Sequence, residues 1–315
     1  MDYTNFVINN NQYKQIVQDF ESGRENHAYM LCSADLNFAN AIAYQAVAFI
    51  TKSSLERINK NIHPDVFVYG INGKIDVAAV NEILADISVS PYEADKKVYC
   101  LLSVESMNDT SQNKILKSLE EPPKNVIFVL TCANTKNVLS TILSRVKTLN
   151  IDSLKPDEIL SLLKQNGVSQ DAANIAVACS NQNSTLAEKL TAQSFLKMYE
   201  SIFDMLENLK SSRDCLKFAH IFEAKTIDKN EFLDVCVLLL RDISMILSGN
   251  NSLVVNKHHE GALNRISQQF SLQATTNIIS ECLRLKEDLY YNTNTTAVLD
   301  QFLLRLAQEK VKCKK

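Results

Sequence analysis

The sequence predicts an α/β domain built on a parallel five-stranded sheet flanked by helices, then a small helical domain and an all-α domain. Three observations lead to this fold class. Residues 1–151 alternate short apolar strands with amphipathic helices, residues 152–192 show helix patterns without strand patterns, and residues 193–315 repeat apolar side chains at helical spacing. Parallel strands are buried on both faces and need helical crossovers, which this alternation supplies.

Five apolar runs in residues 1–151 have the length and composition of buried strands. They are expected at Tyr29–Leu31, Val66–Tyr69, Val98–Leu102, Val126–Thr131 and Thr148–Ile151. Helices are expected between them at Ala39–Ile50, Val77–Ile87 and Thr110–Glu120. Asp76 and Asn108 are suited to cap the second and third of these helices, and Pro122 and Pro123 are suited to stop the third.

The remaining two domains are predicted to be helical. Short helices are expected in residues 152–192 at Asp157–Gln165, Gln170–Cys179 and Thr185–Leu190. In residues 193–315, apolar residues recur every three to four positions, at Ile278, Ile279, Cys282, Leu285 and Leu289, then at Val298, Leu299, Phe302, Leu303 and Leu306. Such a stripe is more typical of an intramolecular core than of an interface. The basic tail, residues 310–315, is expected to be frayed and solvated.

Composition and charge argue against several classes of protein. The chain has 315 residues, is 46% hydrophobic and 22% charged, and contains only six glycines and five prolines, so a compact fold is expected. A net charge of −3 argues against a protein whose main task is to grip nucleic acid. The polar start, Met1–Asn5, does not resemble a signal peptide, and the strongly apolar segment Phe232–Leu247 is too short and too charged to span a bilayer. We therefore expect a cytoplasmic protein with no membrane partner.

A run of local sequence between residues 97 and 145 carries the most specific information. The strand Lys97–Ser103 is followed by Met107-Asn108, then by a helix that closes with Leu-Glu-Glu-Pro-Pro at residues 119–123, then by the strand Val126–Thr131 and by Thr-Ile-Leu-Ser-Arg at residues 141–145. This order and wording resemble the bacterial DNA polymerase III clamp-loader family, whose members are AAA+ proteins. The resemblance implies an AAA+ module for residues 1–151, a helical lid for 152–192 and a helical collar for oligomerisation in 193–315.

The two places where such a protein binds and hydrolyses ATP carry unsuitable residues. A phosphate-binding loop needs glycines, a lysine and a Ser or Thr for magnesium. The corresponding stretch, Cys32–Asn40, has neither glycine nor lysine and includes an aspartate; its degenerate positions include Cys32, Ser33, Ala39 and Asn40. The Asp-Glu pair expected at the end of the next ATPase strand is replaced by Leu102 and Ser103. Glu105 lies two residues further on and is expected to be a solvated acid at a helix start. We expect no cofactor and no intrinsic ATPase activity.

Arg145 is the candidate catalytic residue. In the resembled family, the Ser-Arg pair projects from one subunit into the ATP site of its neighbour, where the guanidinium stabilises charge on the transferring phosphoryl group. Carried over residue by residue, this implies an arginine finger at Arg145, with Ser144 beside it. The cysteine that usually follows the pair is Val146 here, an apolar replacement. A solvated surface arginine is the alternative reading.

Metal binding is not expected. The eight cysteines, at 32, 100, 132, 179, 215, 236, 282 and 313, show no zinc-ligand spacing and are expected to be mostly small buried side chains. Members of the resembled family commonly carry a four-cysteine zinc module, whose matching stretch, Thr51–Asn61, contains no cysteine. His63, followed by Pro64 and Asp65, matches the family just after that module and is expected to be structural.

Within the resembled family, the loop at 32–40 argues against the ATP-hydrolysing gamma/tau subunit. The resemblance instead implies a rigid, non-hydrolysing member of the DNA polymerase III holoenzyme. Its partners would be the gamma/tau ATPase subunits and the delta subunit, with indirect contact to the sliding clamp and primer-template DNA. The alternatives are an AAA+ ATPase of another kind, such as a helicase loader, or a DNA-binding scaffold. A nucleotide titration tests the first, and the second predicts a basic stripe with interleaved aromatics, which the sequence lacks.

Overall fold

The computed structural model of the chain describes residues 1–211, 213–219, 228–290 and 295–313. Its strands are β1 (Ala28–Cys32), β2 (Val66–Tyr69), β3 (Lys97–Leu101), β4 (Val126–Cys132) and β5 (Lys147–Asn150). Its helices are α1 (Thr4–Asn9), α2 (Asn11–Glu21), α3 (Leu36–Ile50), α4 (Leu55–Asn59), α5 (Val77–Asp86), α6 (Asp109–Glu120), α7 (Ser140–Leu143), α8 (Pro156–Gln165), α9 (Gln170–Cys179), α10 (Ser184–Lys189), α11 (Gln193–Asn208), α12 (Cys215–Ala219), α13 (Lys229–Leu247), α14 (Glu260–Ser267), α15 (Leu272–Tyr290) and α16 (Thr295–Lys312).

The chain divides into two compact units. The first comprises Met1–Leu162 and Gln182–Thr185, and the second comprises Leu163–Asn181 and Leu186–Lys315. The three predicted lid helices are present as α8, α9 and α10, but they are divided between the two units. The division into three domains at residues 151 and 192 stays a prediction.

The five strands of the first unit form one parallel sheet in the order β2-β3-β4-β1-β5. β1 lies between β4 and β5, and its last residue, Cys32, pairs with Cys132 at the end of β4. Every strand of the sheet begins and ends within one residue of the predicted boundaries. The predicted fold class is confirmed: helices flank a parallel five-stranded sheet, and the C-terminal region is helical.

Aromatic side chains fill the centre of the sheet's core. The ring of Tyr99 on β3 stacks between Phe67 on β2 and Phe128 on β4, with ring centroids 5.4 and 5.5 Å apart. The hydroxyl of Tyr99 donates to the carboxylate of Asp86 at 2.8 Å, so this buried phenol has a hydrogen-bond partner. On α3, buried alanines such as Ala43 and Ala46 leave room for close packing between this helix and β4.

The predicted helix caps are confirmed. The side chain of Asp76 accepts a hydrogen bond from the N–H of Ala79, and that of Asn108 accepts one from the N–H of Ser111. Each satisfies a backbone donor that the first helical turn leaves without an intrahelical partner. α6 ends at Glu120, just before the two prolines.

The apolar stripe of the C-terminal helices is largely buried within the second unit. Its buried members are Ile278, Cys282, Leu285, Phe302, Leu303 and Leu306. Residues 291–294 and the side chains of Val298 and Leu299 lie outside the described residues. No helix in the described part of the chain combines the length and the apolar character needed to cross a bilayer.

The expectation of a solvated basic tail is wrong for Lys310. This residue is only 1% exposed, and its ammonium donates to the carbonyl oxygen of Leu206 and to Oε1 of Gln269. The same nitrogen lies 5.0 Å from the centroid of the Phe270 ring. A buried ammonium is tolerated because these acceptors and the ring face replace water.

Candidate functional site

The loop at the degenerate phosphate-binding position connects β1 to α3 and is held by its own polar groups. The N–H of Ser33 donates to the carbonyl oxygen of Cys132 at 3.0 Å, which continues the β1–β4 pairing beyond the strands. The hydroxyl of Ser33 accepts from the N–H of Asp35, and the Asp35 carboxylate caps α3 by accepting from the N–H of Phe38. Because Asp35 starts the helix, α3 begins at Leu36, three residues before the predicted start.

The Asp35 carboxylate also links the β1–α3 loop by hydrogen bonds to a distant segment of the same unit; a loop held in this way is called closed below. It accepts from the N–H of Ser184 at 2.6 Å, from the N–H of Thr185 at 3.2 Å and from the hydroxyl of Thr185 at 2.7 Å. Asn37 adds an N–H bond to the Thr185 hydroxyl, and the Asn183 side chain donates to the Ala34 carbonyl oxygen. Free N–H groups at a helix start suit a phosphate. At the start of α3 the chain's own carboxylate, 2% exposed, occupies one such group, the N–H of Phe38.

The ends of β3 and β4 are linked to α3 by a second set of hydrogen bonds. Ser103 adopts a left-handed conformation, with φ of 59°, and its N–H donates to the hydroxyl of Thr131 at 3.0 Å. That hydroxyl donates in turn to Oδ1 of Asn40 at 2.8 Å. The structure therefore brings Asn40 and Ser103 together through Thr131, with the apolar Leu102 buried beside them. Neither strand-end position, 102 or 103, supplies a carboxylate for magnesium.

The expectation for Glu105 is wrong, because this side chain is not a solvated acid. A short 3-10 turn, Val104–Ser106, follows β3 and directs Glu105 toward the end of β4. Its Oε1 accepts from the N–H of Ala133 at 2.9 Å, and its Oε2 is buried without a hydrogen-bond partner. The carboxylate therefore joins the ends of two strands instead of meeting water.

A cavity of about 420 Å³ lies beside the loop, and its lining is unsuited to a triphosphate. It is bordered by Asn37, Asn40 and Tyr44 of α3, by Leu102 and by the N-terminal segment. Its lining among the described residues includes no lysine or arginine, and Asp2 contributes a carboxylate. A phosphate chain here would meet no side-chain cation to balance its charge.

Ser144 and Arg145 lie in a different place, where α7 ends beside the end of α6. The Nη2 atom of Arg145 lies 2.5 Å from Oε1 of Glu120. Its Nη1 atom donates to the carbonyl oxygen of Thr141 at 2.7 Å and to the hydroxyl of Ser144 at 3.1 Å. The Arg145 side chain remains 32% exposed, so the guanidinium can still be reached from outside.

Known proteins resemble this chain over most of its length. A family described as "DNA polymerase III, delta subunit" matches residues 8–155. The DNA polymerase III subunit delta' of Bacillus subtilis is 26% identical over 260 residues, which cover 80% of this chain and 79% of that relative. The subunit delta' of Haemophilus influenzae is 24% identical, covering 87% and 86% of the two chains. These relatives support a clamp-loader subunit of the DNA polymerase III delta' type.

Among solved structures, a DNA polymerase III gamma subunit-related protein from Thermotoga maritima is similar to this chain. The two are 19% identical, with a TM-score of 0.49, and the match covers 95% of this chain and 100% of the other. The predicted resemblance to DNA polymerase III clamp-loader subunits is confirmed by the delta' relatives.

The segment where clamp-loader subunits commonly carry zinc is held here by a polar network. His63 is buried; its Nδ1 accepts from the N–H of Asp65, and its Nε2 lies 3.1 Å from the carboxylate of Glu93. Glu93 also pairs with Arg57 on α4 at 2.7 Å. The structural role expected for His63 is confirmed. Within the described ranges no group of three or more suitable side chains could hold a metal, and the absence of zinc stays a prediction.

Sequence reasoning missed the residues that close the loop. Asp35 preceding a helix indicates a cap, but its other donors lie 149 and 150 residues away at Ser184 and Thr185. Glu120 was part of a recognised clamp-loader segment, yet nothing in the sequence paired it with Arg145. Among the degenerate positions of the phosphate-binding loop, Ala39 is fully buried in α3. Its methyl side chain can pack but cannot bind a phosphate.

Proposed function

We propose that this chain is the non-hydrolysing delta-prime subunit of the replicative DNA polymerase III clamp loader. It serves as a rigid scaffold and supplies Arg145, with Ser144 beside it, to the ATP site of the neighbouring gamma/tau subunit during loading of the sliding clamp. Its partners are the gamma/tau and delta subunits, its contact with the clamp and primer-template DNA is indirect, and its location is the cytoplasm.

The absence of intrinsic hydrolysis is supported by the closed loop. At the start of α3, Asp35 already accepts from the N–H of Phe38, a backbone donor that a bound phosphate would use, and its own negative charge repels a phosphate. Leu102 and Ser103 cannot hold magnesium or polarise water as an Asp-Glu pair does. The alternative of an active ATPase or helicase loader would need an open phosphate-binding loop and an acidic pair at the strand end.

The observation that carries the proposal is the position of Arg145 at the surface, away from that closed loop. An arginine side chain that is 32% exposed suits a planar, charge-assisted contact with a phosphate supplied by another subunit. The sequence places it in the Ser-Arg pair that acts in trans in clamp loaders, which supports the same role here.

Substitution of Arg145 in the reconstituted loader tests this function. Arg145→Ala should leave the chain folded and assembling, because an exposed arginine contributes little to stability. Arginine fingers are worth roughly 10³–10⁵ in rate at their own site, so total ATP hydrolysis should fall in part and clamp loading further. Arg145→Lys should rescue little, because an ammonium cannot reproduce the planar fork.

Arg24→Ala provides a matched control, since Arg24 is an exposed arginine of the same unit outside the Ser-Arg segment. It should leave both rates unchanged. If the Arg145→Ala loader hydrolyses ATP and loads clamps at the wild-type rate, Arg145 is an ordinary surface residue and the proposal fails.

A further inference from the structure

The guanidinium of Arg145 is restrained on two sides by its own chain. Glu120 binds Nη2, while the Thr141 carbonyl oxygen and the Ser144 hydroxyl bind Nη1. Three of the five N–H bonds of the guanidinium are thereby directed at partners within the subunit. The side chain is therefore held in one orientation before any neighbouring subunit is present.

The ion pair contributes little to the stability of the fold. The side chains of Arg145 and Glu120 are 32% and 46% exposed, and exposed pairs are worth only about 0–1 kcal/mol. Moreover, Glu120 is the last residue of α6, where the helix dipole disfavours a negative charge. A carboxylate at this place is thus better explained by its effect on Arg145 than by its effect on the helix.

The negative charge of Glu120 changes how strongly Arg145 attracts anions. A carboxylate 2.5 Å from Nη2 offsets the positive charge of the guanidinium and occupies one of its donors. An approaching phosphate has to compete with this carboxylate and is repelled by it. The pair therefore weakens the attraction of Arg145 for anions in general, while the orientation of the fork is kept.

We infer that Glu120 is a positioning residue that restrains Arg145 within this subunit until the phosphate of a neighbouring ATP competes for the guanidinium. This inference rests on the proposed function. Glu120 sets how readily Arg145 binds that phosphate. Arg145 then binds only the close and well-aligned phosphate of an assembled ATP site.

The test compares Glu120→Gln with Glu121→Gln in the reconstituted loader. Glutamine keeps an oxygen that accepts from Nη2 but removes the charge. Glu121 is the adjacent exposed glutamate and makes no ion pair with Arg145 in the described contacts, so Glu121→Gln is the matched control. Each variant is made with Arg145 and with Arg145→Ala, and assembly is checked by gel filtration.

Glu120→Gln should raise the ATP hydrolysis rate at subsaturating ATP roughly two- to fivefold, the range that an exposed ion pair allows. The gain should shrink as ionic strength rises, because salt screens exposed charges. Glu121→Gln should change nothing, and Glu120→Gln should have no effect when Arg145 is alanine.

Each remaining outcome has a defined meaning. If Arg145→Ala lowers the ATP hydrolysis rate but Glu120→Gln leaves it unchanged or lowers it, the inference about Glu120 is wrong. The proposed role of Arg145 is then still supported. A gain that persists in the Arg145→Ala background shows that Glu120 acts elsewhere, which also overturns the inference. If Arg145→Ala itself has no effect, the proposed function and the inference fall together.

Discussion

Gly70 lies so close to Leu102 that a Cβ atom on Gly70 would come within 2.1 Å of the Leu102 carbonyl oxygen. Gly70 follows β2 with φ of +83°, a backbone conformation that residues other than glycine rarely adopt. This contact brings the backbone after β2 against the strand end at which a magnesium-binding pair is missing.

Gly70→Ala is therefore expected to destabilise the first unit. Left-handed backbone and overpacking together should cost roughly 2–5 kcal/mol in the free energy of unfolding, measured in urea. Gly73→Ala is the control, because Gly73 has φ of +74° but no atom within 4 Å of its added Cβ, so about 1–2 kcal/mol is expected. Equal losses for the two variants would show that the backbone near Leu102 moves freely.

Asp35→Ala should destabilise the same unit through lost hydrogen bonds. The change leaves the buried N–H group of Ser184 and the half-buried N–H group of Thr185 without their acceptor, at an expected cost of about 2–4 kcal/mol. Asp76→Ala removes a similar cap from an exposed position on α5 and should cost about 1 kcal/mol. If the two variants unfold at the same urea concentration, the Asp35 carboxylate does not close the loop in solution.

The isolated chain should neither hydrolyse ATP nor bind it at micromolar concentration with magnesium. At the start of α3 the N–H of Phe38 is taken by Asp35, and the described residues that line the adjoining cavity include no lysine or arginine. Calorimetric titration and a sensitive hydrolysis assay check this. Asp35→Ala should not restore turnover, because Leu102 and Ser103 still supply no carboxylate. ATP hydrolysis that survives stringent purification would contradict the proposal that this chain has no ATPase activity.

The acid sensitivity of the first unit should depend on Asp65. Burial alone raises the pKa of this carboxyl, but hydrogen bonds from the N–H groups of Ala94, Tyr92 and Glu93 outweigh it, so the pKa lies below its ordinary value of 3.8. A lowered folded pKa stabilises the protein above the unfolded pKa, and this contribution is lost as pH falls through the folded one.

The free energy of unfolding should therefore fall less steeply below about pH 4 in Asp65→Asn than in the wild type. Asp95→Asn is the comparison, since the hydrogen bond from Lys52 also lowers the pKa of the Asp95 carboxyl, but at a fully exposed site. Its acid slope should stay close to that of the wild type. Identical slopes for the wild type and Asp65→Asn would mean that the three N–H bonds do not persist in solution.

Predictions from the sequence succeeded where the signal was local. The strands were located because buried parallel strands are continuous apolar runs, and Asp76 and Asn108 were identified because a cap acts within its own first turn. α1 and α2 were not predicted, since most residues of this N-terminal segment are polar.

The errors arose where distant residues meet. Glu105 was expected in water because an acid near a helix start is ordinarily solvated, yet the ladder between β3 and β4 brings the N–H of Ala133 to it. Lys310 was expected to be solvated because a basic C-terminal tail is usually frayed, whereas packing of α16 places its ammonium on the Leu206 carbonyl oxygen. Neither partner can be read from neighbouring sequence.

The hydrogen bonds of Asp35 have a consequence for the proposed role of this chain among ATPase subunits. A carboxylate attached to the chain occupies its binding groups at an effective concentration that no free anion in the cell can match. Such an internal ligand is neither consumed nor exchanged, so nucleotide would find no separate empty and occupied states of the loop to select between. In the proposed clamp loader, this loop would keep one conformation while the neighbouring ATPase subunits change conformation with each turnover.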